Sequence, residues 1–400
     1  MKLLIISQYY YPEQFLINEI APELAKDGHE VTVLTGLPNY PVGKIYDGYT
    51  HKEKRVETIK GVKVIRCFEI GRHHSPVTLI LNYISYMFSA SMRVCRINEK
   101  FDAVFVYQLS PVTMAMPAIK LKKKQKIPIL LYCLDLWPES AKAHMKNENG
   151  VLYKAIQAMS KKIYESCDKI AVTSLPFVDY LHREHSVEKE RCIYLPQHAD
   201  DKYLSLDLDS ENNGIADFMY AGNLGAGQRV DVIIRAAAML RDRKDFLIHI
   251  VGYGSQYAEL TELAQKLNIS DRIIFYGQQR SVDMPSFYKK ADVLLLTLRG
   301  NNFVGNTMPG KLQTYMTTGK PILGAINGAS QQVIRESGAG KCVDSGDYKG
   351  LAGIMLEYIE HPSDFQTCGA GAKKYFEKNF TKKIFMERLE CELQNLIKHS

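Results

Sequence analysis

The sequence predicts an α/β protein built from two doubly wound parallel-sheet domains that face a central cleft. Three observations predict it. Short apolar, β-branched runs alternate with amphipathic stretches along almost the whole chain, the pattern of strands covered by helices on both faces. The pattern restarts at DFMYAGNLG (Asp217–Gly225) after a polar segment. The length of 400 residues suits two domains of roughly 100–200 residues each.

Each element follows in order. Leu3–Ile6 is a first strand, Asn18–Asp27 a helix, and HEVTVLT (His29–Thr35) a second strand. VKVIRC, AVFVYQ, IPILLYCLD and KIAVTS continue the first half. FLIHIVGYG, RIIFYGQ, DVLLLTLRG and KPILGAI continue the second. Residues 201–216 are polar and acidic with little apolar period, which marks a linker between a domain over 1–200 and one over 217–375. The tail from Ala372 to Ser400 reads as helix with no strand after it.

Composition narrows the function class. The chain is 46% hydrophobic and 24% charged, as expected for a globular protein. Its net charge of +7 is mild and dispersed, and no basic run is interleaved with aromatics, so nucleic acid is not the expected partner. The eight cysteines form no C-x-x-C pair and read as reduced, which points to a cytoplasmic protein. The short apolar N-terminus reads as a strand rather than a signal peptide, and no run is long enough to cross a bilayer. The nearest to a span is Ser75–Val94, which belongs to the same half as the basic run AIKLKKKQK (Ala118–Lys126). Together they suit peripheral contact with an anionic membrane, the alternative being a buried helix and a solvated loop.

In open parallel sheets, ligands bind beyond the carboxyl ends of the strands. The unusual loops of this chain all fall there: SQYYYPEQ, DLWPES, GNLGAG, GYGS, GQQ and RGNNFVGNTMPGK. In NTMPGK, Pro309 and Gly310 lead into a helix whose first amides are unpaired, and Lys311 adds a cation at the same spot. That is the arrangement of a diphosphate clamp; a capped helix with a solvated lysine is the alternative. GNLGAGQR (Gly222–Arg229) is a second glycine-rich turn with Asn223 and Arg229 as donors, and it is neither a Walker loop nor a dinucleotide fingerprint. GYG (Gly252–Gly254) suits close approach to a nucleotide base. DLWPES sets Trp137 between Asp135 and Glu139, suited to sugar recognition or acid/base work. A helix-capping Glu139 is the alternative there. His182 and His185 lack a third ligand and read as surface residues, so no metal site is expected.

These residues also resemble a known family. YYYPE followed by ELAKDGHEVTVLT resembles the N-terminal signature of glycosyltransferase family 4, and PGKLQTYMTTGKPILGAINGAS its donor-site helix. GLPNYPVGKIYDGY, DLWPES and YLPQHAD resemble a bacterial WbuB-like subgroup that builds O-antigen and capsule. The resemblance implies a GT-B fold of two Rossmann-like domains, with a C-terminal helix (376–400) returning to the first. It implies retaining, metal-independent transfer from a UDP-sugar, with no cofactor. The sugar would be N-acetylated, such as N-acetyl-L-fucosamine, and the acceptor a polyprenyl-diphosphate-linked oligosaccharide at the inner membrane face.

Carried over by position, Thr307, Met308, Pro309, Gly310 and Lys311 meet the donor diphosphate. Gly222, Asn223, Arg229, Gly254, Gln278, Arg299 and Thr314 complete the donor side. Asp135 and Lys311 are the catalytic candidates, and Tyr11, Asn18, Trp137 and Glu139 the acceptor contacts. The sequence departs from the family in several places. Asn306 and Thr314 stand where paired glutamates are usual. Asn223 and Gln228 replace an Arg and a Lys, and Leu134 replaces the His before Asp135. An epimerase of the same fold and an inactive nucleotide-sugar-binding subunit remain as alternatives.

Overall fold

The strands are where the apolar runs are, because a run buried on both faces has no polar side to alternate with. In AVFVYQ (Ala103–Gln108) all six residues are buried, and in ILLYC (Ile129–Cys133) all five. The computed structural model describes residues 1–50, 52–73, 75–142, 150–210, 213–300 and 308–399. The chain divides into two units, one of Met1–Leu195 with Met386–Ser400 and one of Pro196–Phe385.

The first unit holds β1 (Lys2–Ile6), β2 (Glu30–Thr35), β3 (Val56–Ile59), β4 (Val62–Arg66), β5 (Ala103–Gln108), β6 (Ile129–Cys133), β7 (Lys169–Val172) and β8 (Cys192–Tyr194). They form one sheet in the order β3-β4-β2-β1-β5-β6-β7-β8, parallel except for the hairpin β3–β4. The second unit holds β9 (Ala216–Ala221), β10 (Phe246–Val251), β11 (Ile273–Gly277), β12 (Val293–Thr297), β13 (Ile322–Ala325) and β14 (Gly340–Val343). Their order is β11-β10-β9-β12-β13-β14, all parallel. In each sheet the strand order reverses once, between β1 and β5 and between β9 and β12. Loops leaving those strands diverge to opposite sides and open a crevice at the strand ends.

Three short strands escape the apolar-run pattern. β3 is an exposed edge, while β8 and β14 are only half-buried. Two segments also differ from expectation. Residues 201–216 fall within the second unit, where Tyr203 and Leu208 bury themselves in its core. The tail is two helices, Cys368–Asn379 and Lys382–Lys398, and the chain enters the first unit only at Met386. Phe380 lies between these helices and is fully buried, so the break is held by packing.

Candidate functional site

In the second unit, three strand ends approach so closely that only glycine fits. Gly222 (φ +152°) and Gly252 (φ +141°) both have backbone that L side chains rarely adopt. A Cβ on Gly252 would stand 1.8 Å from the Gly222 carbonyl oxygen, and one on Gly254 2.6 Å from Asn223 Oδ1. The contacts leave a cavity of about 400 Å³ lined by Gly222, Asn223, Gly252, Tyr253, Gln278 and Tyr288.

Lys311 adjoins this cavity. It lies in the first turn of the helix Gly310–Thr318, which Pro309 begins without a side-chain cap; the Leu312 amide turns back to the Pro309 carbonyl at 3.0 Å, and no side chain takes the amides before it among the described residues. One turn on, Tyr315 ties the helix to the end of β9, its hydroxyl taking the Ala221 N–H at 2.8 Å. That bond holds Lys311 over the next residue, where a Cβ on Gly222 would meet Lys311 Cε at 2.6 Å. The ammonium donates to the Tyr220 hydroxyl at 2.5 Å and to Gln228 Oε1 at 3.0 Å. It also lies 3.8 Å from the centre of the Tyr220 ring. Both hydrogen-bond partners are neutral, and no carboxylate among the described residues pairs with it. Burial alone pushes its pKa down from 10.5 to about 7. A half-buried ammonium with no counter-ion among the described residues, beside helix amides without a side-chain cap, is an arrangement that suits an anion.

The other expected donor residues divide. Gly222, Asn223, Gly254 and Gln278 gather at the cavity. Thr314 is half-buried one turn from Lys311, its hydroxyl spent on the Gly310 carbonyl at 3.2 Å. Met308 and Pro309 are half-buried at the helix entrance. Arg229 is not turned to Lys311: its guanidinium grips Asp231 at 2.9 and 3.1 Å, on the helix that it begins with φ +52°. Arg299 has an exposed side chain, and its amide binds the Gly227 carbonyl at 2.9 Å, joining the loops beyond β9 and β12. Thr307 and Asn306 lie outside the described residues.

In the first unit the strand ends gather carboxylates. Asp135 accepts hydrogen bonds from the hydroxyls of Ser110 and Ser140, and the Trp137 indole donates to Ser110 at 2.9 Å. Burial raises the Asp135 carboxyl, and the two serines oppose the rise. Nearer β1, Glu13 takes the amides of Asn39 at 2.9 Å and Tyr40 at 2.7 Å. Burial pushes its carboxyl up to about 7. Glu69 is fully buried, bound by Asn39 Nδ2 and by Gln8 Nε2 at 3.1 Å. Burial first, and then the nearby Glu13, raise it well above the carboxylate range.

The expected acceptor contacts separate here. Trp137 joins Asp135 through Ser110. Glu139 does not stand free: the hydroxyls of Tyr153 and Tyr180 donate to it at 3.1 Å each, and Lys142 pairs with it at 2.8 Å. It ties its short helix to the helices that carry Tyr153 and Tyr180, and its side chain caps no backbone amide among the described hydrogen bonds. Tyr11 is exposed, with its carbonyl held by Arg66 at 2.7 Å. Asn18 donates to the Glu13 carbonyl at 2.5 Å and leaves its buried Oδ1 without a partner. His185, expected at the surface, is buried against the Trp137 carbonyl at 2.8 Å. Sequence reasoning missed Tyr220 and Ser110 altogether. Tyr220 looks like any apolar strand residue, and its hydroxyl finds Lys311 from 91 positions away.

Comparison with known proteins agrees with this anatomy. Residues 16–198 match the family model described as a glycosyl transferase 4-like domain, and residues 210–375 that of glycosyl transferases group 1. A putative colanic acid biosynthesis glycosyl transferase, WcaI of Escherichia coli (strain K12), is 24% identical over 80% of this chain and 82% of its own. The N-acetyl-alpha-D-glucosaminyl L-malate synthase of Bacillus anthracis is 20% identical over 93% and 91%. Among solved structures, Anabaena Alr3699/HepE in complex with UDP superposes with a TM-score of 0.69 at 12% identity, covering 98% of this chain and 99% of that one. With a 4-like domain in the first unit and a group 1 domain in the second, the chain belongs to the glycosyltransferases of GT-B fold.

Proposed function

We propose that the protein is a retaining, metal-independent glycosyltransferase of polysaccharide synthesis, of the WbuB-like subgroup. It takes an N-acetylated amino or deoxyamino sugar, such as N-acetyl-L-fucosamine, from a UDP-sugar. The acceptor is a polyprenyl-diphosphate-linked oligosaccharide of O-antigen or capsule, met at the inner membrane face. The observation that carries the donor half is Lys311, a cation without a counter-ion among the described residues, beside helix amides with no side-chain cap and a glycine-lined cavity. The names of WcaI and the malate synthase, and the UDP held by HepE, support the pathway, the N-acetyl sugar and the nucleotide.

In this reading the bond from the sugar carbon to the diphosphate breaks while the acceptor hydroxyl bonds to the same carbon on the same face. The hydroxyl proton passes to the leaving phosphate. The helix amides and Lys311 stabilise the charge on that phosphate as it develops, fixed in place beforehand. Asp135 orients the acceptor through its carboxylate. An epimerase would need carboxylates at the sugar, and the described lining of the cavity has none.

The test is isothermal titration with UDP, with and without EDTA, on wild type and Lys311→Ala. Metal-independent binding that the substitution removes is the expected result. Unchanged binding in the variant would sink the clamp, and transfer to a lipid-linked acceptor would then have to be explained from another cation.

A further inference from the structure

The chain leaves β4 through Glu69 and reaches Arg72 just before the helix Pro76–Cys95. Arg72 is half-buried, and its backbone is fixed on both sides. Its amide donates to Asn39 Oδ1 at 3.1 Å, and its carbonyl accepts from the Thr78 hydroxyl at 2.7 Å. Asn39 is fixed in turn. Its amide donates to Glu13 at 2.9 Å, and its Nδ2 donates to the Leu37 carbonyl at 2.9 Å and to Glu69. Glu13 also takes the Tyr40 amide at 2.7 Å. Two buried acids thus hold Arg72 and Tyr40 side by side on neighbouring loops.

The Arg72 guanidinium lies 5.1 Å from the centre of the Tyr40 ring. Tyr40 is 37% exposed, and its ring centre lies 5.6 Å from Phe15 and 5.9 Å from Tyr9. Among the described residues no carboxylate pairs with Arg72. Glu13 and Glu69 do not neutralise it, because burial favours their uncharged forms, pushing Glu13 up to about 7 and Glu69 well above the carboxylate range. Half-buried Tyr83, on the helix Pro76–Cys95, relates this cation to Asp135. Burial raises its hydroxyl, Arg72 opposes the rise and Asp135 adds to it, so one phenol stands within electrostatic reach of both charges.

A guanidinium stays charged and offers a planar fork that fits a carboxylate through two parallel hydrogen bonds. Half-buried and without a counter-ion, it has given up hydration that a bound anion would offset. Exposed tyrosine beside it suits the C–H face of a sugar. A diphosphate carries more charge than one fork neutralises, whereas a single carboxylate matches it.

We infer that Arg72 reads a carboxylate on the acceptor, so that the acceptor presents an acidic sugar of the uronic-acid type to the first unit. This rests on the reading above, in which Asp135 orients the acceptor, and narrows that acceptor to a chemical class. Arg72 determines specificity, while Glu13, Asn39 and Glu69 position it.

The test is saturation-transfer NMR on the full chain with methyl glucuronide and methyl glucoside, with UDP saturating the donor site. Wild type is expected to bind the glucuronide at least about tenfold more tightly than the glucoside. Arg72→Gln should weaken the glucuronide about tenfold and leave the glucoside unchanged. Arg72→Lys, which keeps the charge without the fork, should retain part of the preference. UDP affinity on the same samples should be equal in all three proteins, which reports the fold and the donor site separately. A protein that binds UDP but holds both sugars alike, or neither, would overturn the acidic acceptor and leave the donor reading intact. So would a preference that survives Arg72→Gln. Inorganic pyrophosphate is the third probe: binding tighter than the glucuronide and dependent on Arg72 would give the fork to a phosphate of the lipid carrier and overturn the carboxylate.

Discussion

In the first unit the loops after β1, β4 and β6 carry three carboxylates, Glu13, Glu69 and Asp135. In the second, the loops beyond β9 and β12 gather glycines, uncapped amides and the Lys311 ammonium. The two sheets share a topology, reversing once and opening a crevice at the reversal. What lines the strand ends differs in chemistry: buried acids in one unit, a buried base and backbone amides in the other. The carboxylates are held by side chains and loop amides, as in the Glu13 grip on Asn39 and Tyr40. The anion side is made by backbone approaching backbone, as at Gly222 and Gly252. The fold therefore decides where chemistry can happen, and a few side chains decide which chemistry.

This contrast can be broken most severely at Gly252. Ala there meets the Gly222 carbonyl and keeps a backbone angle that it tolerates poorly. Gly252→Ala should cost about 3 kcal/mol or more, read as a large fall in the unfolding midpoint together with loss of UDP binding. The next largest effect is at Lys311. Lys311→Ala should weaken UDP binding about 100-fold or more while the fold survives; titration and circular dichroism on one sample separate the two. Because burial holds the ligand-free lysine near 7, UDP affinity should fall as pH rises above about 7. Titrations in buffers of different ionisation enthalpy should then show proton uptake on binding.

Asp135→Asn tests the other side of the comparison. Turnover should fall about 100-fold with the Kd for UDP unchanged, since the change lies in the first unit. A fall in UDP affinity instead would end the division of labour between the units.

The smallest effect concerns pH and has opposite signs in the two units. Glu13 keeps its proton to about 7 when folded but loses it near 4.5 when unfolded. The first unit therefore loses stability as pH rises across that interval, and Glu69, also raised by burial, adds to the loss. Folded Lys311 loses its proton near 7 and the unfolded chain near 10.5. The second unit is therefore penalised below about 7 and recovers as pH rises towards 10.5. Each substitution, Glu13→Gln and Lys311→Met, should remove its own slope, at most about 1.4 kcal/mol per pH unit inside its window. Unfolding curves across pH are the measurement, and equal slopes in the two variants would contradict the assignment.

Much of this protein can be read from its sequence, for a physical reason. A strand buried on both faces must be apolar at every position, so AVFVYQ and ILLYC announce themselves. A close approach of backbones must be glycine, so GNLG and GYG announce the second unit's crevice. Lys311 next to Pro309 and Gly310 is visible for the same reason. Edge strands such as β3 carry no such demand, and they were not legible. Tertiary structure alone decided the partners. It set Tyr220 and Gln228 on Lys311, spent Arg229 on Asp231, and held half-buried Glu139 between two tyrosines and a lysine. It also turned Val77, Ile80, Leu81, Ile84, Phe88 and Met92 of the helix Pro76–Cys95 outward, where composition could equally have described a core helix. Local sequence determines which backbone is possible. Which side chains meet across 91 positions, as Tyr220 and Lys311 do, depends on how the helices settle against the sheet.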